Sequence, residues 1–100
     1  EAAVAGGADV MFTGHDHHYE RFEPLGADGT PLATGTALFI SGLGGAQTYP
    51  MLSPTPGSAF RHNTDHGVVK LDLTPTTYTW SFISAATNEV LDSGTATCTP

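Results

Sequence analysis

Positive charge is scarce in this 100-residue chain: Arg21, Arg61 and Lys70 face ten acids, for a formal net charge of -7. A nucleic-acid backbone would find few contacts on such a surface, so no nucleic-acid partner is expected. Long apolar runs are also missing. None approaches the roughly 20 residues that cross a bilayer, and no membrane span is expected. The chain opens at Glu1 inside "EAAVAGG", with neither a basic n-region nor an apolar h-region ahead of it. That opening reads as the last turns of a helix, so the expectation is a C-terminal piece of something longer. Cysteine is limited to Cys98, near the end. Two readings of it stay open, a partner outside this stretch and an unpaired thiol on a frayed terminus.

What is present suits one globular domain with no internal boundary across 1–100. Apolar residues make up 39% and charged residues 13%, too few charges for a disordered tail. Ala2, Ala3, Val4 and Ala5 favour helix, and Gly6-Gly7 stops it. "DVMFTG" then reads as a buried strand over 9–13. Asp28-Gly29 marks a turn between two short extended pieces. A second strand is expected over 36–41, ahead of the glycine-rich "GLGGA". From Gln47 to Asp65 nothing is periodic, and an irregular surface loop is expected.

Farther on, Val69, Leu71 and Leu73 share one face of a strand over 67–73. Pro75 sits in a turn, and Tyr78, Trp80 and Phe82 alternate on a strand over 77–84. "EVLDSGTATC" makes a weaker third strand. One helix end and five or six strands leave a sheet with an open edge and an uncovered face.

The densest chemistry lies in "TGHDHHYER", residues 13–21, at the carboxyl end of the first strand, where open α/β sheets place their ligands. Histidine and acids are costly to bury, and core packing rarely clusters them. His15 and His17 are one residue apart. In an extended segment both imidazoles reach the same side, and neutral imidazole is a good ligand for zinc, iron or manganese. Gly14 lets the chain turn as it leaves the strand. Asp16 points the other way, where its carboxylate fixes a ring tautomer. His18 shares that side and is the poorer ligand.

Two histidines are fewer than the three protein ligands a catalytic zinc commonly has. His62, His66 and Asp65 are the candidates for a further donor if the chain is a β-domain with a structural zinc. A cupin site fails on spacing, because Arg21 and Phe22 stand where its glutamate belongs. "GLGGAQ" fails as a dinucleotide loop, since Gln47 replaces the final glycine. No Gly-x-Ser-x-Gly elbow supports nucleophilic catalysis.

"ADVMFTGHDHHYER" resembles the last metal motif, Gly-His-x-His, of the calcineurin-like metallophosphoesterases. Its extension through Tyr19, Glu20 and Arg21 is similar to the purple acid phosphatase branch. "LFISGLGGA" and "HGVVKLDLTPTTYTWSFI" resemble that family's next strand, glycine loop and closing hairpin. "DSGTATC" is similar to the tail of secreted bacterial members.

The resemblance implies an α/β fold, here the mostly β C-terminal half of a four-layer αββα sandwich. It implies two metal ions, of iron, zinc or manganese, about 3.5–4 Å apart, sharing a hydroxide that attacks a phosphate ester. His15 and His17 are then metal ligands, one to each ion. Gly14, Asp16, Tyr19, Glu20 and Arg21 shape the loop, a buried Glu–Arg contact being sufficient for that. His18 is a candidate substrate contact, with a solvent-exposed side chain as the plainer reading.

The family's Asp-x-Asp, Gly-Asp-x-x-Tyr and Gly-Asn-His motifs precede this stretch and are absent from it. The missing N-terminal part of the same domain is therefore the first expected partner, and the isolated chain should be inactive. A secreted or periplasmic protein is implied. The alternative is a non-catalytic β-rich binding module, or a degenerate family member, that keeps only the ligand loop.

Overall fold

The computed structural model describes residues 2–48, 50 and 55–98. A single helical turn, α1 (Ala2–Ala5), precedes seven strands: β1 (Val10–Thr13), β2 (Tyr19–Phe22), β3 (Ala37–Ser41), β4 (Ser58–His62), β5 (Gly67–Leu73), β6 (Thr77–Ser84) and β7 (Val90–Thr97). They form two sheets. The first is mixed, in the order β1-β3-β2-β4, with β1 and β3 parallel. The second is an antiparallel meander, β5-β6-β7.

The helix stop lies where the two glycines predicted it, with Gly7 in the left-handed region at φ 76°. The expected strands at 9–13, 36–41, 67–73 and 77–84 all form, to within one residue at their ends. β1 is not the buried strand expected, since Met11, Phe12 and Thr13 are exposed on this edge of the sheet. Asp28-Gly29 is a turn: Gly29 has φ 82° and Asp28 Oδ1 accepts from the Thr30 N–H and hydroxyl. Two further expectations change. The stretch 47–65 is not wholly irregular, because Ser58–His62 pairs antiparallel with β2. This short edge strand shows no clean alternation of buried and exposed residues, so periodicity could not reveal it. Residues 49 and 51–54 of that stretch lie outside the described residues. Second, the strands make two sheets packed on each other rather than one.

The packing follows from the period of 2. On β6, Tyr78, Trp80 and Phe82 turn inward, and on β3 Ala37 and Phe39 do the same. Phe82 stacks on Tyr19 with ring centroids 4.2 Å apart, while Trp80 meets Phe39 edge-on at 5.4 Å. Tyr19, Ala37, Phe39, Leu43 and Phe82 are the buried centre of this layer. Phe12, Leu71 and Leu73, on the outer strands β1 and β5, stay 37%, 36% and 68% exposed. Cys98 is half-buried and its N–H donates to the Thr76 carbonyl, so the chain is not frayed there.

A cluster of polar contacts on Asp92 crosses the layer. Asp92 on β7 accepts from the Tyr19 hydroxyl at 2.7 Å and from Arg21 Nε at 2.8 Å and Nη2 at 3.2 Å. The Arg21 guanidinium also lies over the Trp80 ring, 5.3 Å from its centroid. Burial, and then the bond to Asp92, pushes the Tyr19 phenol well above its ordinary value, so it remains a donor. The hydrogen bond to Asp92 raises Arg21 as well, and its charge is secure.

Replacing Asp92 with Ala strands a buried hydroxyl and a guanidinium. It should cost about 2–3 kcal/mol in the protein that carries this chain, with Asp92→Asn losing less. Denaturant unfolding checks this, and a change below about 0.5 kcal/mol would contradict it. The native state also holds the Tyr19 proton more tightly than the unfolded chain does. The stability from that proton is intact below about pH 10 and is lost as pH rises further. Tyr19→Phe should flatten that alkaline slope in a pH series of unfolding midpoints.

Candidate metal-ligand loop

Because β1 and β3 run parallel and in register, Thr13 lies beside Ile40 and both strands end at the same sheet edge. The chains leaving them, 14–18 and 42–47, therefore start side by side. Parallel pairing is what brings the histidine cluster to the glycine-rich loop.

Residues 14–18 are not extended. The Asp16 N–H donates to the Gly14 carbonyl at 3.0 Å, closing a three-residue turn about His15, whose φ is 78°. The His18 N–H donates to the Asp16 carbonyl at 2.8 Å, closing another about His17. A turn of this size with positive φ at its centre is rare and strained, and such backbone clusters at functional sites. His15 and His17 thus sit at the apices of two successive turns, and the same-side argument for an extended chain gives way to this geometry. The turns form because Gly42 permits them. A Cβ there would overlap the Asp16 carbonyl oxygen, and the Gly42 N–H donates to the His18 carbonyl at 3.0 Å.

His17 is half-buried, and its Nδ1 lies 2.6 Å from the Gln47 carbonyl oxygen. A carbonyl only accepts, so Nδ1 carries the proton. In the neutral ring the lone pair is then on Nε2, the tautomer that a metal-ligating histidine takes from such a partner. Asp16 does not take this role, because it is exposed. A residue beside a tight turn cannot be assigned a side by alternation. His15 is exposed at its apex.

His18 is not solvent-exposed. Its side chain is 16% exposed and its Nε2 donates to Glu20 Oε1 at 3.0 Å, while Glu20 Oε2 accepts from the Ser58 hydroxyl at 2.6 Å. Glu20 does not meet Arg21. Neighbours on a strand face opposite ways, so Glu20 turns toward His18 and Ser58 while Tyr19 and Arg21 turn toward Asp92. Gly14 leaves β1 beside the Ser41 carbonyl, 3.8 Å from where its Cβ would lie.

Neither loop histidine completes a ligand set here. His62 Nε2 lies 3.0 Å from Asp65 Oδ2, and His66 Nε2 donates to the Ala46 carbonyl at 2.7 Å. Among the described residues no three His, Cys, Asp or Glu side chains are grouped to hold an ion. The donor type these turns offer, neutral imidazole with the His17 ring held by a backbone carbonyl, fits the borderline metals named above. Sequence reasoning missed Asp92, Ser58 and the Gln47 carbonyl. Asp92 sits in an unremarkable strand, and a backbone acceptor leaves no mark in a sequence.

No helix among the described residues is long and apolar enough to cross a membrane. No curated protein matches the chain. A solved structure of the purple acid phosphatase PPD1 from yellow lupin (Lupinus luteus) seeds is similar to it, with 26% identity and a TM-score of 0.78. The match covers 89% of this chain, which spans 17% of the length of that one. The model of the family described as "Iron/zinc purple acid phosphatase-like protein C" matches residues 35–93, from the turn before β3 to β7. That match holds the glycine loop, His66 and Asp92, and the histidine turns at 14–18 lie outside it. On a match over more than half of its length, the chain belongs to the iron/zinc purple acid phosphatase-like C family.

Proposed function

We propose that this chain is the C-terminal part of the catalytic domain of a metal-dependent phosphoesterase, with His15 and His17 ligating a two-ion centre. The ions would be drawn from iron, zinc and manganese, and the substrate would be a phosphate ester. The observation that carries this reading is the His17 ring, held by the Gln47 carbonyl in the tautomer a ligand needs, at the apex of a strained turn. Family membership supports it from an independent direction. The exposed apolar side chains of Phe12, Leu71 and Leu73 along β1 and β5 are what a preceding part of the domain would cover.

Bound there, the ions supply charge stabilisation worth several kcal/mol to a hydrolytic attack on phosphorus. The chain's own residues do the positioning. The two turns present the imidazoles, and Gly42 keeps the backbone of the neighbouring loop against them. Glu20 holds the Nε2–H of His18, aiming a fixed ring from the loop that also carries the ligands. That arrangement makes His18 the substrate-facing candidate of this chain.

In the complete protein, His15→Ala and His17→Ala should each strip metal and lower turnover of p-nitrophenyl phosphate by about a hundredfold or more. His18→Ala should keep metal and cost about tenfold or less, mostly in KM. Asp16→Ala should stay within about threefold, given its exposed carboxylate. Metal content beside kcat and KM decides. Full activity in the His17→Ala protein would end this reading, and a metal-binding protein without turnover would leave a binding module in its place.

A further inference from the structure

The glycine-rich loop has little of its own to define its shape. Gly44 and Gly45 impose no side-chain preference, Gly45 has φ 151°, and Gly44 to Gln47 are exposed. Its conformation must come from outside. Four tethers hold it. Gly42 N–H donates to the His18 carbonyl, Leu43 is fully buried and its carbonyl accepts from the Gly67 N–H at 2.8 Å, and the Ala46 and Gln47 carbonyls are taken by two imidazoles.

Those imidazoles come from distant parts of the chain. His17 takes Gln47 and His66 takes Ala46. His66 is itself fixed, since its carbonyl accepts from the Ala85 N–H at 2.8 Å and the following Gly67 pairs with Ser84. A Cβ on Gly67 would overlap the Ile83 carbonyl oxygen, so no other residue lets β5 begin this close to β6.

We infer that His66 is a positioning residue for His17. By holding the Ala46 carbonyl it sets the peptide plane between Ala46 and Gln47, and the next carbonyl in line orients the His17 ring. The second sheet thus reaches the ligand loop through one imidazole and one glycine-rich strap. The inference rests on the phosphoesterase reading for its consequence, metal retention, while its structural content concerns the His17 tautomer alone.

The test uses the complete protein as wild type, His66→Ala, His66→Gln and His15→Ala. Long-range proton–nitrogen NMR of the metal-free protein reads the His17 ring, and chelator competition reads its affinity for zinc. Wild type should show a single Nδ1–H tautomer. His66→Ala should mix the tautomers and weaken zinc by about tenfold, the range expected for loss of an outer support. His66→Gln keeps an N–H donor at that reach and should restore both. A His17 ring unchanged in His66→Ala would overturn the inference, as would a His66→Gln protein that behaves like His66→Ala. Should zinc bind equally well to the wild type and to His15→Ala, the ligand reading fails, and the tautomer still decides the role of His66.

Discussion

Asp92 accepts three hydrogen bonds from two residues of β2, and the rest of the arrangement depends on that contact. β2 begins at Tyr19, one residue after the histidine turns end. The carboxylate on the far sheet therefore fixes the downstream end of the histidine loop. Its side chain is 7% exposed against 23% for Arg21, so the pair is partly shielded and charge-assisted, unlike an open surface pair. Around it Tyr19 stacks on Phe82 and Arg21 lies over Trp80. The apolar and polar parts of the layer use the same side chains. A change in either should be felt in both.

The upstream end is fixed differently. β1 and β3 are parallel, and their ends release the histidine loop and the glycine loop together. Gly42 lets the two backbones touch, and the rings of His17 and His66 then close the gap from either side. Strain at His15 is held by the Gly14–Asp16 bond and by this close approach. Preorganisation of that kind suits a ligand loop, where displacing a donor by an ångström is costly.

Much of this was legible before any coordinates. The hairpin from Gly67 to Ser84 announces itself because Val69, Leu71 and Leu73, then Tyr78, Trp80 and Phe82, alternate cleanly around Pro75. The helix stop and the turn at Gly29 follow from glycine alone. β4 stayed hidden because its pairing is set by β2 and not by a pattern of its own. The two successive turns about His15 and His17 were not legible. Alternation assumes an extended chain, and turns of three residues abolish it. For the same reason alternation does not place Asp16, which is exposed, or His18, which is half-buried against Glu20. Glu20 and Arg21 do not meet because strand neighbours face apart. Carbonyl acceptors, which here do much of the orienting, have no sequence signature.

The most direct measurement is anomalous diffraction from crystals of the complete protein grown with zinc or manganese. The account predicts metal peaks about 2.0–2.2 Å from imidazole nitrogens of His15 and His17, with the His17 Nδ1–H still on the Gln47 carbonyl. A metal held by His62, His66 or Asp65 with the His15 and His17 rings uncoordinated would contradict it.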